Sequence, residues 1–203
     1  MEYPSLDKPT VGAFRFNTDS SQLELYDGLQ WTTLVPIPAT NSARLLIGAG
    51  EGTSPTNKDE IEMININSTG NSVEFGKLTA EGAWLTAAGS SSTRGLWFGG
   101  APRGDVIDYV TIAHTGNAID FGDPAVNRSA NGGLANEVRG IYGGGNPSGS
   151  NKTDSIEYVT IATTGNAIDF GDLLAATSGP LGTCASQIRG IFSGGYTPTA
   201  LNV

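Results

Sequence analysis

"IDYVTIAHTGNAIDFGD" spans residues 107–123, and "IEYVTIATTGNAIDFGD" spans residues 156–172. Fifteen of the 17 positions are identical, and the second stretch begins 49 residues after the first. A more divergent copy, "IEMININSTGNSVEFGK", occupies residues 61–77 in the same register. The chain is therefore built from internal repeats, and its fold must be one that stacks them.

A second signature precedes each copy of this block. It reads "RLLIGAG" from Arg44, "RGLWFGG" from Arg94, "RGIYGGG" from Arg139 and "RGIFSGG" from Arg189, with spacings of 50, 45 and 50 residues. A period near 50 in a chain rich in strand-forming residues is typical of a propeller or array with one four-stranded sheet per repeat. We expect the glycine pairs to lie where backbones approach closely.

Composition favours an all-β fold. Val, Ile, Thr, Tyr, Phe and Trp alternate with clusters of Gly, Asn, Asp and Ser, and Gly alone contributes 29 of 203 residues. No segment carries the i, i+3, i+4 apolar pattern of an amphipathic helix. Each repeat predicts a small polar strand, the Arg-Gly strand, the I-[DE]-x-[VI]-x-I strand and, after a T-G-N turn, a strand ending in Phe-Gly.

Charge and cysteine content exclude several classes of function. The net charge of −9 and a pI near 4.4 argue against a nucleic-acid partner, because nothing offsets phosphate repulsion. No apolar run approaches the 18 residues of a membrane span, and the N-terminus lacks a signal-peptide pattern, so no membrane insertion is expected. Cys184 is the only cysteine and is predicted to be a small buried residue.

The stretch "RGIYGGG…DSIEYVTIATTGNAIDFGDL" resembles the kelch family, whose repeat has an apolar strand ending in Gly-Gly, a variable loop and a strand of the form x-V-E-x-Y. It departs from the family in the last strand, where Phe75, Phe121 and Phe170 stand in place of Trp. The resemblance covers roughly residues 44–195 and implies a kelch-like β-propeller. The expected repeats lie near 44–93, 94–138 and 139–188, with a partial repeat at 189–203.

Three and a half repeats do not close a propeller, which needs at least four blades. Residues 11–35 predict three further strands, which could complete the last blade and give a four-bladed monomer. A ring shared between subunits of a homo-oligomer, or an open array with a separate N-terminal motif, remains open. On this basis residues 1–36 are an N-terminal β-hairpin or attachment segment, and residues 37–203 are the array.

The N-terminal string "VGAFRFNTDSSQLELYDGLQWTTL" (11–34) resembles a short element of phage tail fibres. The T-G-N repeat itself resembles repeats in structural proteins of tailed phages, especially cyanophages. Together the resemblances imply a non-enzymatic virion structural protein, in a tail, fibre, neck or capsid-decoration position, that binds other virion proteins. The alternative is a propeller that binds a host receptor or carbohydrate, for which Trp84 and Trp97 are the candidate aromatic residues.

We expect no catalytic, cofactor or metal residues. His114 is the only histidine, and it lies in a predicted hairpin turn whose position holds other residues in the other copies. The repeated D-F-G-D carboxylates become E-F-G-K, with Lys77, in the first copy, which argues against a calcium site in each repeat. Those carboxylates are Asp120, Asp123, Asp169 and Asp172.

Two repeated patterns predict contacts. The arginines at 44, 94, 139 and 189 start equivalent strands, and Glu62, Asp108 and Glu157 share a position on the next strand, so we expect an arginine–carboxylate ladder. Equivalent buried pairs are expected between neighbouring sheets: Tyr109 and Tyr158, Phe121 and Phe170, and Ile112 and Ile161. Recognition is expected in the unequal loops at 51–60, 101–105 and 146–154, and the "RGD" at 103–105 is interpreted as chance.

Overall fold

A computed structural model describes residues 9–19, 21–34, 43–52, 57–83, 87–102, 105–147, 151–197 and 199–200. Within these ranges the chain is all-β, as predicted, and contains no α-helix. No helix in the described part is long and apolar enough to cross a membrane. The chain divides into two compact units, residues 1–40 and 41–203, each of which is described by itself.

The N-terminal unit contains a three-stranded antiparallel meander, which confirms the three strands expected there. Its strands are β1 (Phe14–Asn17), β2 (Gln22–Tyr26) and β3 (Trp31–Thr33). Strand alternation places Glu24 and Tyr26, both buried, on one face. Phe14 and Phe16 lie on the other face and are exposed by 64% and 62%.

The second unit contains the repeated strands. Sheet I is formed by β4 (Arg44–Gly48), β5 (Lys58–Asn65) and β6 (Val73–Gly82). Sheet II is formed by β7 (Ala87–Ser90), β8 (Arg94–Phe98), β9 (Ile107–Thr111) and β10 (Ile119–Gly122). A small two-stranded ribbon joins β11 (Arg128–Ser129) to β14 (Asn146–Pro147).

A six-stranded sheet follows, in the order β12-β13-β15-β16-β17-β18. Its strands are β12 (Gly132–Ala135), β13 (Arg139–Gly143), β15 (Thr153–Thr160), β16 (Ile168–Ala185), β17 (Gly190–Thr197) and β18 (Thr199–Ala200). The long strand β16 pairs with β15 through its first half and with β17 through its second. We call β12, β13, β15 and residues 168–177 sheet III.

Strand pairing recurs at equivalent positions in the three sheets. The strand that begins with arginine lies antiparallel to the strand that carries the acidic residue: Arg44 faces Asn65, Arg94 faces Thr111 and Arg139 faces Thr160. The adjacency predicted from the two signatures is therefore confirmed. We call the two strands that flank a T-G-N turn, together with that turn, the outer hairpin: 58–77, 107–122 and 153–172.

The glycine pairs have the conformation that the sequence predicts. Gly144 and Gly145 have φ angles of 67° and 103°, in the left-handed region that favours glycine, and the pairs at 99–100 and 194–195 repeat these angles closely. A Cβ atom on Gly145 would lie 2.7 Å from the carbonyl oxygen of Ser129. The expected close approach of backbones is therefore confirmed at this glycine pair.

The apolar core lies between consecutive sheets. One cluster, formed by Ile61, Phe75, Leu78, Trp97, Val110 and Ala118, joins sheets I and II. A second, with Leu96, Phe98, Phe121, Tyr142, Val159 and Ile161 among its members, joins sheets II and III. Burial of these side chains is the main source of stabilisation, at roughly 1.5–3 kcal/mol for each large residue.

The expected burial of equivalent aromatic pairs is only partly correct. Ile112 and Ile161 are buried, and Tyr109 and Tyr158 are half-buried. Phe121 is 2% exposed, but Phe170 is 49% exposed, so the prediction for Phe170 is wrong. Tyr158 and Phe170 nevertheless meet edge-to-face at 5.9 Å, as Tyr109 and Phe121 do at 5.6 Å. The two phenylalanines differ in exposure because a following outer hairpin covers Phe121 and not Phe170.

The prediction that Cys184 is buried is also wrong, since its side chain is exposed. The second half of β16 alternates between a covered and an open side. Leu181 and Thr183 lie against Gly132 of sheet III, and Thr183 donates a hydrogen bond to the carbonyl of Gly133 at 2.6 Å. Cys184 follows directly and therefore faces outward.

Candidate functional site: the joints between repeats

The T-G-N turns of the second and third outer hairpins bind the last strand of the preceding sheet. Between sheets I and II, Gly116 N–H donates to the carbonyl of Phe75 at 2.8 Å, and Ala118 N–H donates to that of Lys77 at 2.7 Å. The Asn117 side-chain oxygen accepts a hydrogen bond from Lys77 N–H at 3.2 Å. The turn is therefore a connector between sheets as well as a reversal of the chain.

The joint between sheets II and III repeats all three bonds. Gly165 N–H donates to Phe121 at 2.8 Å and Ala167 N–H to Asp123 at 2.9 Å, while Asn166 accepts from Asp123 N–H at 3.1 Å. Close approach of the two backbones requires glycine on the receiving strand. A Cβ atom on Gly122 would lie 2.5 Å from the carbonyl oxygen of Gly165.

The repeated carboxylates bind the preceding sheet. Asp108 accepts hydrogen bonds from the backbone N–H and the hydroxyl of Thr79, at 3.0 and 2.6 Å. Glu157 accepts one from Ala125 N–H at 2.8 Å. Thr79 and Ala125 are equivalent, since each follows the receiving glycine by three residues. Both carboxylates are fully buried, so these bonds satisfy groups that would otherwise be costly to bury.

The predicted arginine–carboxylate ladder is wrong. Arg44 donates to the carbonyl oxygen of Ile112 at 2.6 Å, and Arg94 donates to that of Ile161 at 2.7 Å. Each arginine thus reaches the end of the next sheet's third strand rather than the carboxylate beside it. Arg94 also lies 4.7 Å from the ring centre of Tyr109. The repetition is structural, as expected, but the partner is a backbone group.

A buried charged cluster strengthens the second joint. Arg128 forms an ion pair with Glu157, and its guanidinium donates to the carbonyls of Gly144 and Ser155 at 3.1 and 2.8 Å. The Tyr142 hydroxyl donates to the same carboxylate. Burial, and then the bond to Glu157, raise the pKa of Tyr142 well above its usual value, so the phenol stays protonated as a donor. Arg128, Tyr142 and Glu157 are all buried, and both Arg128 and Tyr142 bond to Glu157.

The turns between first and second strands form a further link. Glu137 accepts hydrogen bonds from the backbone N–H and the hydroxyl of Ser92, at 2.9 and 2.8 Å. These bonds lower the pKa of Glu137. One sheet later, the Asn136 side chain donates to the carbonyl of Gln187 at 2.9 Å.

The described array presents unused copies of the same groups at its two ends. At the first, Glu62 is exposed and accepts a hydrogen bond from the nearby hydroxyl of Ser72 at 2.7 Å. At the other end, no atom lies within 4 Å of a Cβ placed on Gly171, and Leu174, the counterpart of Thr79 and Ala125, is fully exposed. This is why Phe170 is exposed while Phe121 is not.

The residues considered for ligand binding or catalysis do not converge. Trp97 is 4% exposed and belongs to the core between sheets I and II, where Tyr142 and Phe192 occupy the same position in later repeats. His114 is exposed in its turn. The carboxylates at 120, 123, 169 and 172 are exposed, and no group of three metal-binding side chains occurs in the described part of the chain.

Several predictions fall outside the described residues. These concern Trp84, the Arg103 and Gly104 of the "RGD" string, and the tips of two variable loops at 53–56 and 148–150. No protein-family model matches the chain, and no curated protein is significantly similar to it.

Proposed function

We propose that the chain is a non-enzymatic structural protein of a tailed-phage virion, in which a kelch-like β-propeller array acts as a protein-interaction scaffold. The observation that carries the scaffold role is the use of the repeated polar residues. The arginines at 44 and 94 and the carboxylates at 108 and 157 hold neighbouring sheets together. Residues that hold every joint in this way stabilise the arrangement of the sheets rather than catalyse a reaction.

The equivalent joints favour the propeller architecture. Two successive joints use the same three turn bonds and the same arginine-to-carbonyl bond, so each sheet meets the next through the same set of contacts. Repetition of one interface generates a curved array, which closes into a ring when the rotation permits. Closure by N-terminal strands and closure by a second subunit both remain proposals.

The N-terminal sheet suits an attachment role. One face is internally satisfied, because Glu24 accepts bonds from Asn17 at 2.9 Å and Arg15 at 2.7 Å, which lower the pKa of its carboxyl. The opposite face carries exposed Phe14, Phe16 and other apolar residues. An exposed apolar face on a small sheet is a surface for binding another protein. The placement in a virion rests on the sequence resemblance of this segment and of the repeat.

Mass spectrometry and immunogold electron microscopy of purified particles test the proposal. We expect the chain in particles of the phage that encodes it, at a fixed stoichiometry, with antibody label at one location. Particles that lack the chain, while the infected cell contains it in soluble form, would contradict the virion role.

A further inference from the structure

The N-terminal sheet has one face made of apolar side chains. Cross-strand pairing sets Phe14 opposite Leu25 and Phe16 opposite Leu23. Leu34 follows β3 and donates its backbone N–H to the carbonyl of Leu23 at 2.8 Å, so it extends the same row. We call this surface the apolar face; its members are Phe14, Phe16, Leu23, Leu25, Thr32 and Leu34.

The two charged residues of these strands lie on the opposite face. Arg15 and Glu24 face each other across β1 and β2 and form an ion pair of 2.7 Å. The third strand, with sequence W-T-T, carries no charge. The apolar face is therefore free of charged groups, and a partner that binds it has to be apolar as well.

We propose that the apolar face binds the apolar face of a second copy of the chain, across a two-fold axis that runs parallel to β2 between the two packed sheets. The inference rests on the binding role proposed above for this face, but not on the placement in a virion.

Burial within one chain gives this sheet little stabilisation. Tyr26 is the only buried apolar residue among the described positions of residues 1–40, and both apolar clusters of the described chain consist of side chains from residues 41–203. An apolar face stabilises a small sheet only when it is removed from water. A second sheet, packed at the usual distance of about 10 Å, provides that cover.

Charge favours this face over other surfaces for a contact between copies. Each chain carries a net charge of −9, so two copies repel one another across most of their surfaces. A contact between identical acidic chains therefore has to form where like charges do not meet. The apolar face satisfies this condition, because its sheet pairs its own charges on the other side.

The distribution of side-chain size makes the face self-complementary. The large rings of Phe14 and Phe16 stand on one edge strand, β1, whereas the other edge carries the smaller Thr32 and Leu34. A two-fold axis parallel to the central strand β2 places β1 of one copy over β3 of the other. The large side chains of each copy then pack over the small ones of the second copy, which fills the space between the sheets.

The available area suits a dimer that forms at micromolar concentration. Phe14 and Phe16 are exposed by 64% and 62%, and Leu23 and Leu34 by 46% and 39%. With the remaining members of the face, covering it buries roughly 500 Å² of each copy, or about 1,000 Å² in all. This is the lower limit of a specific protein–protein contact, so we expect a concentration-dependent dimer rather than a permanent one.

Sedimentation velocity of the full chain, at concentrations from about 1 to 200 μM, measures the association. We expect the weight-average mass to rise from 20.9 kDa toward twice that value, with a Kd in the micromolar range. Raising NaCl from about 50 to 500 mM should leave the dimer unchanged or strengthen it, because salt screens the repulsion between the acidic copies.

Substitutions on and off the face identify the contact. Phe16→Thr combined with Leu23→Thr removes a cross-strand pair from the face and keeps residues that favour strands, and it should raise the Kd at least about tenfold. Leu29→Thr is the matched control, because Leu29 is 92% exposed in the turn between β2 and β3; it should dimerise as the wild type does. An unchanged NMR signal of the Arg15 Nε–H, which donates to Glu24, shows that the sheet stays folded.

A cysteine on the central strand tests the two-fold geometry and leaves the pair of Phe16 and Leu23 intact. In a Cys184→Ser background, Leu25→Cys places a thiol where the axis brings it opposite its own copy, at the distance between the sheets, about 10 Å. A short bismaleimide should therefore link two chains. Thr33→Cys, which lies on the opposite face, is the matched control and should give little linked dimer.

Three results overturn the proposal. A wild-type chain that stays monomeric at the highest concentration shows that a second copy does not cover the face. A dimer that persists in the folded double variant, or that Leu29→Thr weakens equally, is held by another surface. Equal crosslinking at positions 25 and 33 contradicts the two-fold arrangement. A monomeric chain that is nevertheless found in purified particles refutes this inference and leaves the virion role intact.

Discussion

Replacing Gly122 with alanine tests the close approach that builds the joints, and Gly171 provides a matched control. Both glycines occupy the same position in successive repeats, with φ angles of 145° and 136°. A Cβ atom on Gly122 would lie 2.5 Å from the carbonyl oxygen of Gly165, whereas a Cβ atom on Gly171 would meet nothing within 4 Å. The two variants therefore share backbone strain and differ in the steric clash.

The magnitudes follow from these two terms. An alanine in a backbone conformation reserved for glycine costs about 1–3 kcal/mol, which applies to both variants. In Gly122→Ala the clash also displaces the turn at 165–167, which makes three hydrogen bonds to the preceding strand. At about 1 kcal/mol for each net bond, the additional cost is roughly 2–3 kcal/mol.

Equilibrium unfolding in urea, followed by circular dichroism, measures the difference. We expect Gly122→Ala to lower the free energy of unfolding by roughly 2–3 kcal/mol more than Gly171→Ala. Native spectra of both variants at zero denaturant serve as the folding control. Equal losses in the two variants would show that the turn does not hold the sheets together.

Four further substitutions test individual side chains. Glu157→Gln leaves a buried guanidinium without its opposite charge and should cost about 3–5 kcal/mol in urea unfolding, and a loss below about 1 kcal/mol would contradict its burial. Arg94→Met should cost about 1–2 kcal/mol through its lost backbone bond, whereas Arg139→Met should change stability by less than about 0.5 kcal/mol. Bonds from Ser92 hold the pKa of Glu137 below its usual 4.5, so its stabilisation is present above pH 4.5 and is lost as the pH falls through the folded-state pKa. The melting temperature of Glu137→Gln should therefore lie below that of the wild type at pH 7 and converge with it in acid.

Contacts within one repeat could be predicted from the sequence because the residues that make them lie close together along the chain. The all-β class, the adjacency of the two signature strands and the conformation of the glycine pairs all follow from alternation and turn chemistry within about 50 residues. The contact between Tyr158 and Phe170, which repeats that between Tyr109 and Phe121, is local in the same way. These features need no knowledge of how the sheets are placed.

Contacts between repeats were not predictable in the same way. Arg44 bonds a carbonyl 68 residues away, and no side-chain pattern reveals a backbone acceptor. Arg128 was missed because it lies in the connection between sheets II and III, in "NRSANGG", and belongs to neither signature. The only signal was a single arginine among small residues, and arginine side chains are usually solvated.

Position in the array, rather than residue type, decides what each repeated side chain does. Glu62, Asp108 and Glu157 share one place in the repeat, yet Glu62 is exposed, Asp108 binds Thr79, and Glu157 binds a backbone amide, an arginine and a tyrosine. The difference arises because a carboxylate is buried only where a preceding sheet supplies its donors. The same reasoning applies to Phe121 and Phe170, which differ because only Phe121 is covered by a following hairpin. Internal copies of a group stabilise the fold, so the copies at the ends are the ones free to bind something else.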